Sequence, residues 1–114
     1  MADAIDRGTF DGLVETTGED FVGELVDTFL TEAPAMLDDM RDALARGDAD
    51  RFRRAAHSLK SNANTFGALT LGALAKALEL GGIAHARDAG GARIDEASAE
   101  YARAASALKD LTRA

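Results

Sequence analysis

The segment Glu19-Asp20-Phe21-Val22-Gly23-Glu24-Leu25-Val26-Asp27-Thr28-Phe29-Leu30-Thr31-Glu32-Ala33-Pro34-Ala35-Met36-Leu37-Asp38-Asp39-Met40-Arg41-Asp42-Ala43-Leu44 decides the fold. Its apolar positions Phe21, Val22, Leu25, Val26, Phe29, Leu30, Ala33, Met36, Leu37, Met40 and Leu44 recur at intervals of three and four, the period of one buried stripe on an α-helix. Gly47 follows as the residue expected to cap its C-terminus. Pro34 lacks a backbone donor and crowds the preceding turn. The periodicity nevertheless resumes in phase beyond it, so a kink is expected there and not a break.

Upstream, Ile5, Phe10, Leu13 and Val14 make a short amphipathic fragment ending at Thr16-Thr17-Gly18. It is too short to be stable alone in water and is expected to cover one end of a larger bundle. Downstream, Asp48 is placed to cap a helix from about Ala49 to about Phe66, with Phe52, Ala55, Ala56, Leu59, Ala63 and Phe66 inward and Gly67 at its end. A further helix turns Leu71, Leu74, Ala75 and Leu78 inward and stops at Gly81-Gly82, or a turn or two later if those glycines are tolerated. Asp88-Ala89-Gly90-Gly91 reads as a connection. The last helix places Ile94, Ala97, Tyr101, Ala104, Ala105, Leu108 and Leu111 on one face. Burying four such stripes across short connections predicts an all-α protein: an antiparallel up-and-down four-helix bundle with a short additional N-terminal helix, residues 1–114 forming one domain.

Composition narrows the function classes. The chain has 114 residues, 46% of them hydrophobic and 29% charged, with one proline and no cysteine. A net charge of -7 without a long basic run opposes the phosphate-backbone attraction on which nucleic-acid binding relies. Disulfides and thiolate metal sites are excluded by the absence of cysteine. Met1-Ala2-Asp3-Ala4-Ile5-Asp6 lacks the basic flank and apolar run of a signal peptide, and no stretch has the apolar length of a membrane span. The default is a cytoplasmic monomer with neither nucleic acid nor membrane as a partner.

One histidine stands out by its phase. At about 100° per residue, His57 falls roughly 140° from Phe52, the centre of the apolar wedge of its helix, and so faces solvent. Asp50, Arg53, Lys60, Ser61 and Asn64 share its side and Arg54 lies further round, whereas Ser58 and Asn62 project to the other flank. A core histidine would sit in the wedge. A metal-binding one would need ligands beside it, and the neighbours one turn away are Arg53, Arg54, Lys60 and Ser61. Those cations favour a neutral imidazole, which is a competent nucleophile toward phosphorus. Once phosphate is attached, Lys60 could neutralise its oxygens, Ser61 is small and offers a hydroxyl, and Asn64 is a possible amide donor. The plain alternative for a lone helical histidine is a solvated surface residue.

The run Ala56-His57-Ser58-Leu59-Lys60-Ser61-Asn62-Ala63-Asn64-Thr65-Phe66-Gly67-Ala68 resembles the motif of the histidine-containing phosphotransfer (HPt) domain family, Ala-His-x-Leu-Lys-Gly followed by small residues and Gly-Ala. The resemblance extends downstream through Leu71, Leu74, Leu78 and Glu79 and upstream to Leu25 and Phe29. It implies a four-helix bundle in which His57 is phosphorylated, Lys60 stabilises the phosphate, and the partners are receiver domains of response regulators and hybrid histidine kinases. The resemblance also implies that the chain needs no cofactor of its own, the Mg²⁺ being held by the partner receiver. Glu79 stands where some members carry a polar residue near the phosphoryl site, so a hydrogen bond to the imidazole Nδ1 is one reading and a solvated glutamate the other. This chain departs from the motif at Ser61, in place of the usual glycine. It also lacks a basic residue directly after Leu78-Glu79, where Gly81-Gly82-Ile83 leaves Arg87 as the nearest candidate.

With no Gly-rich phosphate loop and no Walker-type lysine, the chain is expected to be a phosphocarrier and not an ATP-dependent kinase. Arg51, Arg53, Arg54 and Lys60, four of thirteen basic residues, lie within ten positions on an acidic protein, which suits docking to an acidic surface. The alternative function is a non-phosphorylated bundle acting as a receiver-binding or regulatory adaptor. A metal or cofactor bundle would need inward His and Glu ligands, and the interior expected from the periodicity is wholly apolar.

Overall fold

In the computed structural model, residues 4–89 and 91–112 are described. They form α1 (Arg7–Thr17), α2 (Glu19–Arg46), α3 (Ala49–Thr65), α4 (Leu69–Asp88) and α5 (Ala92–Thr112), with no strand among the described residues. Gly90, read from sequence as part of the connection before the last helix, lies outside the described residues, as do residues 1–3 and 113–114. Each of the four long helices packs on its chain neighbours, and α2 closes the ring against α5. The all-helical bundle predicted from periodicity is the fold.

Local chemistry sets the boundaries. The Asp6 carboxylate accepts from the Thr9 amide at 3.0 Å, and that of Asp48 from the Arg51 amide at 3.1 Å, each meeting one donor that a helix start leaves unpaired. Gly47 takes the left-handed conformation at φ 72° and closes α2, its amide and that of Asp48 reaching back to the Leu44 and Ala43 carbonyls. α1 is tied to the α3–α4 connection, where the Asp6 amide donates to the Gly67 carbonyl at 2.7 Å. Gly67 has a φ of 84°, and a Cβ there would stand 2.7 Å from the Asp6 carbonyl oxygen, so only glycine fits.

The α2 stripe is narrower than the apolar pattern suggests. Val22, Val26, Phe29, Ala33, Leu37 and Met40 are buried, and Leu25, Leu30, Met36 and Leu44 are half-buried flanks. Phe21 is exposed, because Val22, 100° round the helix, takes the inward position of the first turn. α2 runs through Pro34 without a break. Pro34 has no amide to offer the Leu30 carbonyl four residues back; the Tyr101 hydroxyl on α5 donates to that oxygen instead, at 3.2 Å. Phe29 stands against both Phe66 and Tyr101, with ring centroids 5.0 and 5.9 Å apart, and joins α2 to α3 and α5.

Two further departures concern α4 and α5. α4 breaks at Gly82, whose φ of 72° and ψ of -176° suit glycine alone, and then continues to Asp88, so both stopping points read from the sequence carry meaning. The interior is not wholly apolar: Glu100 on α5 is buried, with Oε1 2.8 Å from the Arg103 guanidinium and Oε2 without a hydrogen-bond partner. No helix of the described residues is long and apolar enough to cross a membrane.

Candidate functional site

α3 buries Phe52, Ala56, Leu59 and Ala63 and turns His57 outward, its side chain 55% exposed. Across the seam lies α4, whose inward residues include Gly72, Ala75 and Leu78. Small buried residues lie on both helices, Ala56 and Ala63 on α3 and Gly72 and Ala75 on α4, and Glu79 of α4 reaches His57 on α3. Glu79 Oε2 lies 2.7 Å from His57 Nδ1, and Glu79 Oε1 lies 2.7 Å from Lys60 Nζ. One carboxylate therefore holds both the histidine and the lysine.

The electrostatics of Glu79 determine the tautomer of His57. The Lys60 ammonium above all, and His57 after it, hold the Glu79 carboxyl below the usual carboxylate range against the opposing effect of burial. An ionised carboxylate only accepts hydrogen bonds, so Nδ1 carries the proton and donates it to Oε2. In the neutral ring, Nε2 is then the nitrogen with the lone pair. The ring is thus oriented with Nε2 away from Glu79, the arrangement in which a neutral imidazole attacks an electrophile through Nε2 with a carboxylate behind it.

The other residues singled out from sequence are distributed around this core. Arg53 and Arg54 share the Asp50 carboxylate, at 2.9 and 3.0 Å, and are exposed on the N-terminal side of His57. Arg51 turns away to α2, where it pairs with Asp39 and Asp42. The basic face is therefore split, and its cations are largely paired with carboxylates instead of free beside the imidazole. Ser61 is exposed one turn beyond His57. Asn64, a turn further, lies over Gly72, whose missing Cβ makes the room. Arg87 does not join the site: its guanidinium lies against Gly47, in the turn before α3, and His57 stands about 12 Å along that helix from its start at Ala49.

Several features near the site were not apparent in the sequence. Met36, Asp39, Arg51, Arg54, Ala55 and Ser58 line an open cleft between α2 and α3 on one flank of His57. Leu80, directly after Glu79, is exposed. Gly72 enters the site only because α3 and α4 are in register there. Among the described residues, no three His, Cys, Asp or Glu side chains come together in a way that could hold a metal ion.

Comparison with known proteins agrees with the fold. The family model described as Hpt domain matches residues 24–113. The crystal structure of histidine-containing phosphotransfer protein B (HptB) from Pseudomonas aeruginosa PAO1 is similar to this chain with a TM-score of 0.89 and 28% sequence identity, covering 98% of this chain and 96% of that one. No curated protein matches the chain. A family model spanning residues 24–113 and a fold shared along nearly the whole length place this chain in the Hpt domain family, the histidine phosphotransfer proteins of two-component phosphorelays.

Proposed function

We propose that His57 is the residue that carries the phosphoryl group, accepting it from the aspartate of one receiver domain and passing it to another. The observation that carries this reading is the hydrogen bond from the Nδ1 of an exposed histidine to Glu79. It leaves Nε2 free to attack. Lys60, one turn on, is the cation placed to offset charge on the transferred group, and Arg53 and Arg54 add positive charge to the face a receiver would meet.

The carboxylates next to His57 are already engaged by Lys60, Arg53 and Arg54, which suits a carrier whose partner contributes the Mg²⁺. That ion supplies charge neutralisation at the receiver's acyl phosphate. Ser61, where the family usually has glycine, adds a hydroxyl and modest bulk beside the approach to His57. It is the residue expected to tune which receivers dock and how fast.

The test is to incubate the protein with phosphorylated receivers and look for phosphate that is labile in acid and stable in alkali. The wild type should acquire it and His57→Gln should not. Lys60→Ala should still acquire it, at a rate lower by on the order of 10². Receiver binding without any label on the wild type would instead identify an adaptor.

A further inference from the structure

Lys60 already has a partner. Its ammonium sits 2.7 Å from Glu79 Oε1, and that oxygen is buried with no hydrogen-bond partner besides this ion pair. The other oxygen of the same carboxylate holds Nδ1 of His57. A phosphoryl group arriving on Nε2 brings nearly two negative charges and three acceptor oxygens to a position one turn from Lys60. Lys60 cannot serve both anions fully, and leaving Glu79 strips a buried carboxylate oxygen of its counter-charge, which is costly.

Resting on the carrier reading above, we propose that Lys60 exchanges partners during the cycle, bound to Glu79 when His57 is bare and to the phosphoryl oxygens when it is loaded. Glu79 thereby competes with the phosphoryl group for Lys60 and limits how tightly that group is held. In the loading step the Nε2 lone pair forms the N–P bond. The P–O bond to the donor aspartate breaks, and its electron pair returns to that carboxylate. Nδ1 keeps its proton against Glu79 Oε2, so the only rearrangement on this chain is the movement of the lysine. A carrier has to give the group up again. A carboxylate that reclaims the lysine on departure favours onward transfer over retention.

The experiment is a double-mutant cycle on the equilibrium of transfer, which measures the coupling between Glu79 and Lys60. Labelled phosphoryl is partitioned between one phosphorylated receiver and each of four proteins: wild type, Glu79→Gln, Lys60→Met and the double variant. Glutamine keeps an oxygen for the Nδ1 proton but lacks the charge that holds Lys60. Removing the Glu79 charge should favour the loaded carrier more strongly when Lys60 is present than in the Lys60→Met background, the two effects differing by about threefold or more. Equal effects in the two backgrounds, with thermal unfolding confirming that all four proteins fold, overturn the exchange while leaving the carrier reading intact. Absence of label on the wild type with every receiver overturns the carrier reading and the exchange together.

Discussion

The Tyr101 hydroxyl donates to the Leu30 carbonyl, the oxygen that Pro34 leaves without its helical donor. A proline in a helix interior ordinarily leaves such a carbonyl unpaired, or kinks the helix to expose it. Here a side chain from the last helix meets it, and the same tyrosine ring packs on Phe29. Burial raises the Tyr101 phenol above its ordinary range, which keeps it protonated and able to donate. Tyr101→Phe should therefore destabilise the bundle by about 1 kcal/mol. In a Pro34→Ala background, where the new amide reaches Leu30, the same substitution should cost clearly less. Urea unfolding of the four proteins measures the difference.

Gly47 and Gly67 both have positive φ, but their surroundings differ. At Gly47 an added Cβ meets the mobile end of Arg87, so Gly47→Ala should cost about 1 kcal/mol, mostly for the left-handed backbone. At Gly67 it meets the backbone carbonyl of Asp6, and Gly67→Ala should cost about 2–4 kcal/mol. Hydrogen exchange should then show the Asp6 amide losing protection as α1 loosens from the α3–α4 connection. Equal losses at the two positions would mean that Asp6 yields freely.

Glu79 gives a pH dependence of known sign. Its carboxyl is held below the ordinary range by Lys60 first and His57 second, so the stability it contributes is complete above the ordinary glutamate value. That contribution fades as pH falls through the depressed folded-state value. The side-chain carboxyl ¹³C resonance of Glu79 should titrate below that of an exposed glutamate and move up toward it in Lys60→Met. A titration that Lys60→Met leaves unchanged would show that the ammonium is not the cause.

The bundle was legible because its helices announce themselves by period. Val22, Val26, Phe29, Leu37 and Met40 keep one phase through Pro34, and Asp48 and Gly47 mark the ends that they cap. The outward placement of His57 followed from phase alone. The placement of Glu79 could not, since a period says which way a side chain faces but not which residue of the next helix stands opposite. The register of α3 on α4 depends on three-dimensional packing, in which Asn64 of α3 lies over Gly72 of α4. For the same reason the sequence showed a basic cluster where the fold shows pairs: Asp39 and Asp42 reach Arg51 from α2, and only Asp50 lies close enough in sequence to Arg53 and Arg54 for its pairing to be read from spacing. The burial of Glu100 was hidden by its charge, and the exposure of Phe21 by its hydrophobicity.

A phosphoryl group on Nε2 of His57 is most directly seen by phosphorus–nitrogen correlation NMR on ¹⁵N-histidine-labelled protein after incubation with a phosphorylated receiver. The geometry at Glu79 predicts one phosphorus resonance coupled to Nε2 of His57, with Nδ1 still protonated, and no such signal in His57→Gln. Phosphorus coupled to Nδ1 of His57 or to His85, or no phosphorylated histidine with any receiver, would contradict it.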